Sequence, residues 1–255
     1  MRANQRLVGD DGYEVMLFPL EYMNASQQEG GGYSHAGTYQ MDFLGWGANG
    51  RVLNCPYYAP CTCRCVAITD AAANNRVYES INKVHLADGT LGYVTFETAH
   101  DNFPVTTVGT VLTQGQLMGH TGTAGNVTGD HLHFQCGRGT YQGWVQLPNG
   151  NWMLANEMHI YDACYVNDTT IIQGYGYNWR EYQGGVEPTP EEEQKRRGYK
   201  WQVFTRRIRN SRRLIKWNYP KLLIQFKRNL EKKNLEKLQM ILQIFWFLKK
   251  PIQKQ

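Results

Sequence analysis

The segment GDHLHFQ, residues 129–135, sets two histidines one residue apart. In an extended strand, residues i and i+2 share a face, so His131 and His133 should project side by side with Leu132 opposite. Two further segments carry compatible groups. GGYSHAGTYQMDF holds His35 and Asp42, with Gly37 available for a turn between them, and FETAHDN holds His100 at the end of a candidate strand. Zinc catalysis asks for three protein ligands and one open position for water. One carboxylate with two neutral imidazoles leaves the ion net positive, which acidifies a bound water and polarises a carbonyl. His35, Asp42 and one of the pair His131/His133 would supply that set. His100 and the other member of the pair could then flank the water, moving protons and stabilising an oxyanion. The spacing alone leaves open which member takes which task.

These groups need strands to hold them. From about 14 to 183, short apolar runs alternate with Gly, Asn and Asp turns, and EVMLFPL, MDFLGW, RCVAI, GYVTFETA, HLHFQCG and GWVQL are the candidate strands. The stretch ITDAAANNRVYESINKV reads either as a short helix or as a strand pair across Asn74-Asn75. The glycines at 119, 122, 125 and 129 predict a tight hairpin that delivers the HLH strand beside the metal. They are not a phosphate loop, because no Gly-Lys-Ser/Thr follows. The expected fold is mainly β, an antiparallel sheet core carrying a metal-site groove.

Charge divides the chain. Residues 1–185 hold 8 Lys and Arg against 16 Asp and Glu, a formal −8, whereas 186–255 hold 19 against 6, a formal +13. Between them GGVEPTPEEEQKRR reads as an extended linker, residues 184–197. Beyond it, Leu223, Phe226, Leu230, Leu238, Ile241, Phe245 and Leu248 recur at helical spacing among basic residues. Residues 198–255 are therefore expected to form a basic amphipathic tail. It suits anionic wall polymers or a membrane surface, or is an appendage with no evolved apolar face. No motif supports specific nucleic-acid binding. The N-terminus lacks an apolar secretory core, and the run Ile244–Leu248 is too short for a confident span, so synthesis in a cytoplasm is expected. In such a compartment the six cysteines need no disulfides. CTCRC puts Cys61, Cys63 and Cys65 on one strand face, either as a thiolate metal site or as small buried core side chains.

Taken in order, SHAGTYQMD, AHDN and GHTGTAGNVTGDHLHF resemble the lysostaphin/LytM-type zinc metalloendopeptidases, which cut peptide cross-links of bacterial peptidoglycan. The resemblance covers about residues 14–140. It implies a catalytic core over 1–140 of the duplicated-hybrid-motif type, with 141–183 as its C-terminal extension. It also assigns roles within the pair: His35, Asp42 and His133 as zinc ligands, His131 and His100 as catalytic histidines. With the missing leader, it implies a phage endolysin held in the host cytoplasm until lysis, then acting on the wall.

Many members of that family have three residues between the first His and the Asp; here there are six. The longer spacing resembles phage endolysins of this type, and also the D-Ala-D-Ala zinc carboxypeptidases. The latter use a Glu-x-x-His or Glu-x-Trp-His element, and no Glu-x-Trp-His occurs here. A third alternative is a non-catalytic relative acting as a wall-binding or regulatory protein. The remaining polar residues are assigned less. His120 is structural or near the substrate. His85 and His159 are surface or packing histidines. Asp101 and Asp130 are candidate imidazole acceptors, and Tyr33 and Tyr39 either line the groove or pack.

Overall fold

The computed structural model describes residues 6–184. The linker and the basic tail expected beyond that point lie outside the described residues. The described part is mainly β, with one short α-helix, Ile160–Ala163. Its centre is a nine-stranded sheet formed by β1 (Tyr22–Gln27), β2 (Met41–Phe43), β3 (Cys63–Asp70), β4 (Asn75–Ser80), β5 (Val94–Ala99), β6 (Val111–Leu112), β7 (Leu132–Arg138), β8 (Glu157–Met158) and β9 (Thr170–Gln173). The strands run in the order β6-β3-β4-β5-β7-β2-β1-β9, with β8 also on β7. All pairings are antiparallel except β9 with β1.

Alternation along β7 separates core from site. Leu132, Phe134 and Cys136 point into a core that includes Phe18, Phe43, Phe96, Tyr78 and Met41. His133 and Gln135 take the other face. Register then fixes their neighbours: His133 lies opposite Asp42 of β2 and Ala99 of β5, and Gln135 lies opposite Glu97. Directly opposed residues share a face. The sheet therefore assembles a polar patch from three strands that are far apart in sequence.

Several local expectations are resolved or corrected. The ambiguous stretch is a strand pair, with β3 and β4 joined through Asn74 at φ 55. EVMLFPL contributes only the two-residue strand Glu14–Val15. His131 sits just outside β7, held by a bridge to Gly122 in which each backbone N–H donates to the other's carbonyl at 3.0 Å. The tight hairpin is absent: that bridge closes an open loop over 123–130. The glycines serve close approach more than turning. A Cβ at Gly122 would collide with the His100 carbonyl oxygen and the Asn102 nitrogen, and one at Gly125 (φ +85) would press on Ala73.

The cysteines take the core reading. All six are buried free thiols, and Cys61, Cys63 and Cys65 are 0 % exposed. Burial pushes all three thiols up, Cys63 to beyond the ordinary range.

The Gly122 contact yields a direct test. Gly122→Ala must force the His100 and His131 segments apart, and should destabilise the fold by about 1–3 kcal/mol, the usual cost of overpacking. Urea unfolding measures this; an unchanged midpoint would show that the segments are not in contact.

Candidate metal centre

His35 ends a 3-10 turn, Tyr33–His35, and its side chain is fully buried. Its Nδ1 lies 3.3 Å from the Gln28 carbonyl. A carbonyl only accepts, so Nδ1 carries the proton and Nε2 presents a lone pair. That Nε2 is buried, has no hydrogen-bond partner, and stands 3.3 Å from Asp42 Oδ1. His133 reaches the same oxygen through Nδ1 at 2.8 Å, and His131 through Nε2 at 3.6 Å. The ligand atoms of His35, Asp42 and His133 all lie within 4.8 Å of one another. Among the described residues this is the one group of His, Cys, Asp and Glu found to converge in this way. An orphaned imidazole nitrogen, an imidazole bound to a carboxylate and that carboxylate form a donor set that fits a zinc ion.

Electrostatics agree with that geometry. Burial would raise the Asp42 carboxyl, but the hydrogen bond from His133 and the neighbouring His35 imidazole hold it far below the usual range. Burial would lower His133, and the hydrogen bond to Asp42, aided by the Asp42 and Glu97 charges, raises it instead.

Two more imidazoles flank the cluster. The His100 and His131 rings lie 4.7 Å apart, and His100 lies 5.7 Å from His133. His100 directly follows β5 at φ 74, a strained conformation for a residue with a side chain. Its backbone is held from both sides, donating to Ala73 and accepting from Ala124. His100 Nδ1 donates to the Ala124 carbonyl and His131 Nδ1 to the Gly129 carbonyl, each at 2.8 Å. Both rings therefore keep Nε2 unprotonated when neutral. Burial, helped by His133, lowers His100 to about 4, so it is uncharged at neutral pH.

The other polar residues take structural places. Asp101 accepts from the Phe103 and His120 backbones; Asp130 accepts from Asn54 N and Thr121 Oγ1 and pairs with Arg51. Both tie loops around the site, and backbone carbonyls hold the imidazoles instead. His85 pairs with Asp11, and His159 pairs with Glu29 while stacking on Tyr39. His120 stays outside the cluster, with a buried, unpartnered Nδ1. Tyr33 is 97 % exposed and packs on nothing.

Two contributions go beyond the sequence reading, which makes GWVQL a strand but not the clamp it forms. A hairpin of Trp144–Gln146 with Trp152–Leu154 clamps the His35 turn: Asn149 and Asn151 donate to the Ala36 carbonyl, and Asn151 also to that of Tyr33. Together with the turn at Thr69–Ala71 and Asn75, its tryptophans line a cleft of about 550 Å³. The second is Glu97, 0 % exposed, with Oε2 3.9 Å from His133 Nε2. It lies three residues before His100, so Glu-x-x-His does occur in its looser form. That pattern was the available signal.

No protein-family model matches the chain. Morphogenesis protein 1 of Bacillus phage B103 is 41 % identical over 173 residues, which cover 68 % of this chain and 46 % of the relative. The chain thus spans about half the length of that curated relative. Solved structures similar to part of this chain include the lysostaphin catalytic domain of Staphylococcus simulans, 20 % identical, covering 47 % of this chain and 80 % of that one, TM-score 0.34. A zinc-containing peptidase from Vibrio cholerae is 17 % identical, with coverages of 51 % and 42 % and a TM-score of 0.36. The prophage-encoded protein EnpA of Enterococcus faecalis is 14 % identical, with coverages of 52 % and 88 % and a TM-score of 0.35.

Glu157, beside β7, offers a stability test. Burial lifts its carboxyl to about 7, against a backbone hydrogen bond from Tyr39 that lowers it, and Glu29 adds to the rise. A carboxyl raised in the fold above its ordinary 4.5 costs nothing below that pH and increasingly destabilises the fold as pH rises toward 7. Glu157→Gln should therefore raise Tm at pH 8 and leave it nearly unchanged at pH 4. An equal shift at both values would contradict this.

Proposed function

We propose that this chain is a zinc-dependent peptidoglycan endopeptidase that cuts peptide stems or cross-bridges of the bacterial wall. The observation that carries the reading is the convergence of His35 Nε2 and His133 Nδ1 on one oxygen of Asp42, with two further imidazoles beside it. His35, Asp42 and His133 would hold the ion. Zinc bound there supplies Lewis acidity for a scissile carbonyl and makes a bound water a nucleophile near neutral pH. His131 and His100 work from outside the ligand set. Each has Nδ1 tied to a carbonyl, so each offers Nε2 to accept a proton or, once protonated, to donate one to the leaving amine. As an imidazole lowered to about 4, His100 also stays uncharged near a cation.

The cleft beside Trp144 and Trp152 supports a long substrate. Across the sheet it lies on β3 and β4, two to three strand spacings from β7, which is roughly 10–15 Å. An extended peptide covers that span in about three or four residues. Burial of Glu97 argues against the carboxypeptidase alternative. With no exposed surface and both oxygens accepting amide hydrogens, it cannot reach a substrate as a base.

The setting of this chemistry has two readings. One is an endolysin that waits in the host cytoplasm and reaches the wall at lysis. The second is favoured by the phage relative, whose name refers to morphogenesis: the same activity would belong to the virus particle or its assembly. The basic segment beyond residue 197 would add affinity for anionic wall polymers or lipid.

The experiment pairs zinc content with turbidity of purified cell walls. His35→Ala and His133→Ala should lose metal and activity together. His131→Ala and His100→Ala should keep about one zinc per chain while turnover falls on the order of 10²–10⁴-fold. Mass spectrometry should find new peptide termini within stems or bridges. Release of D-alanine alone would establish the carboxypeptidase, and a zinc-loaded chain that clears no wall would establish a binding protein.

A further inference from the structure

Glu97 is a carboxylate buried with no exposed surface beneath the site. Asn75 Nδ2 donates to its Oε1 and Gln135 Nε2 to its Oε2, each at 2.7 Å. Gln135 is fixed in turn, because its Oε1 accepts from the Leu154 backbone at 2.9 Å. Two neutral amides orient a carboxylate but do not neutralise it, and a buried charge without a counter-charge is costly. Burial raises the Glu97 carboxyl; the His133 charge and the two amide hydrogen bonds oppose that rise, and the Asp70 charge adds to it. The His133 ring thus stands between two carboxylates: Asp42 at Nδ1, 2.8 Å away, and Glu97 at Nε2, 3.9 Å away.

That position has a chemical consequence. For Nδ1 to give its lone pair to a metal, the neutral ring must carry its proton on Nε2. An anion behind Nε2 favours that tautomer, raises the basicity of Nδ1 and stops the ring from turning away. We propose that Glu97 is the positioning residue of the centre: its charge holds the Nε2–H tautomer of His133 and strengthens the hold on zinc, without touching substrate. This rests on the reading that His35, Asp42 and His133 bind the ion. The separation of 3.9 Å makes the effect electrostatic rather than a direct hydrogen bond. The partnership comes from sheet register, since Glu97 opposes Gln135, which is two residues from His133 on the same face.

The test measures zinc affinity of the full chain by competition with a chromophoric chelator. Glu97→Gln keeps the side chain's shape and removes the charge. It should weaken zinc binding about 10–100-fold, the usual loss for an outer carboxylate of a metal-bound histidine. In the zinc-loaded protein the His133 Nε2–H proton resonance should move upfield and exchange faster with water. The double substitution E97Q/Q135E returns a carboxylate to the same cross-strand pair and should recover most of the loss. Unchanged affinity and an unmoved resonance in Glu97→Gln would overturn the proposal. Should that variant fail to fold, the double substitution carries the test alone: binding within about tenfold of native supports it, and weaker binding overturns it. A native chain that takes up no zinc would instead refute the metal reading itself, an outcome distinct from equal binding by native and Glu97→Gln.

Discussion

One carboxylate oxygen organises the centre of this molecule. Asp42 Oδ1 receives His133 at 2.8 Å, His35 at 3.3 Å and His131 at 3.6 Å. A buried carboxylate is stable only where positive charge or hydrogen-bond donors meet it. Here one donor, His133 Nδ1, comes from a strand, and the His35 and His131 rings reach the same oxygen from a turn and a bridged loop residue. Strand pairing achieves this for His133, which lies directly opposite Asp42. The Gly122 bridge does it for His131, and the clamped turn does it for His35.

The polar face carries a second layer of the same logic. Asn75, Glu97 and Gln135 form a hydrogen-bonded row across β4, β5 and β7, ending at the back of His133. The row is roofed by the hairpin whose Leu154 amide binds Gln135 and whose asparagines hold the His35 turn. One small hairpin thus braces the His35 turn directly and the row behind His133 through Gln135. A site built this way sits on rigid elements, which suits a metal centre whose ligands must not relax when the ion leaves.

Much of the site was legible because its signals are local or strongly typed. The His-x-His alternation needs only the two-residue strand period, and the order of His35, Asp42, His100, His131 and His133 follows the chain. The mainly β character followed from short apolar runs between turn residues. What escaped depends on register or on backbone contact. Glu97 looks like an ordinary strand acid until pairing sets it against Gln135. The glycines at 119, 122 and 125 look like turn formers, yet Gly122 is required by the His100 carbonyl, a contact no spacing reveals. Asp101 and Asp130 sit next to catalytic candidates in sequence, but their carboxylates serve neighbouring backbones and loop side chains.

The central claim is a division of labour among four imidazoles: two on the metal, two off it. X-ray absorption at the zinc edge of the loaded native protein tests this most directly. The account predicts a shell of nitrogen and oxygen at about 2.0–2.1 Å with multiple scattering from two imidazoles and none of the sulfur distance near 2.3 Å. Three or more imidazoles, or any thiolate, would place His131, His100 or a cysteine on the ion and contradict it.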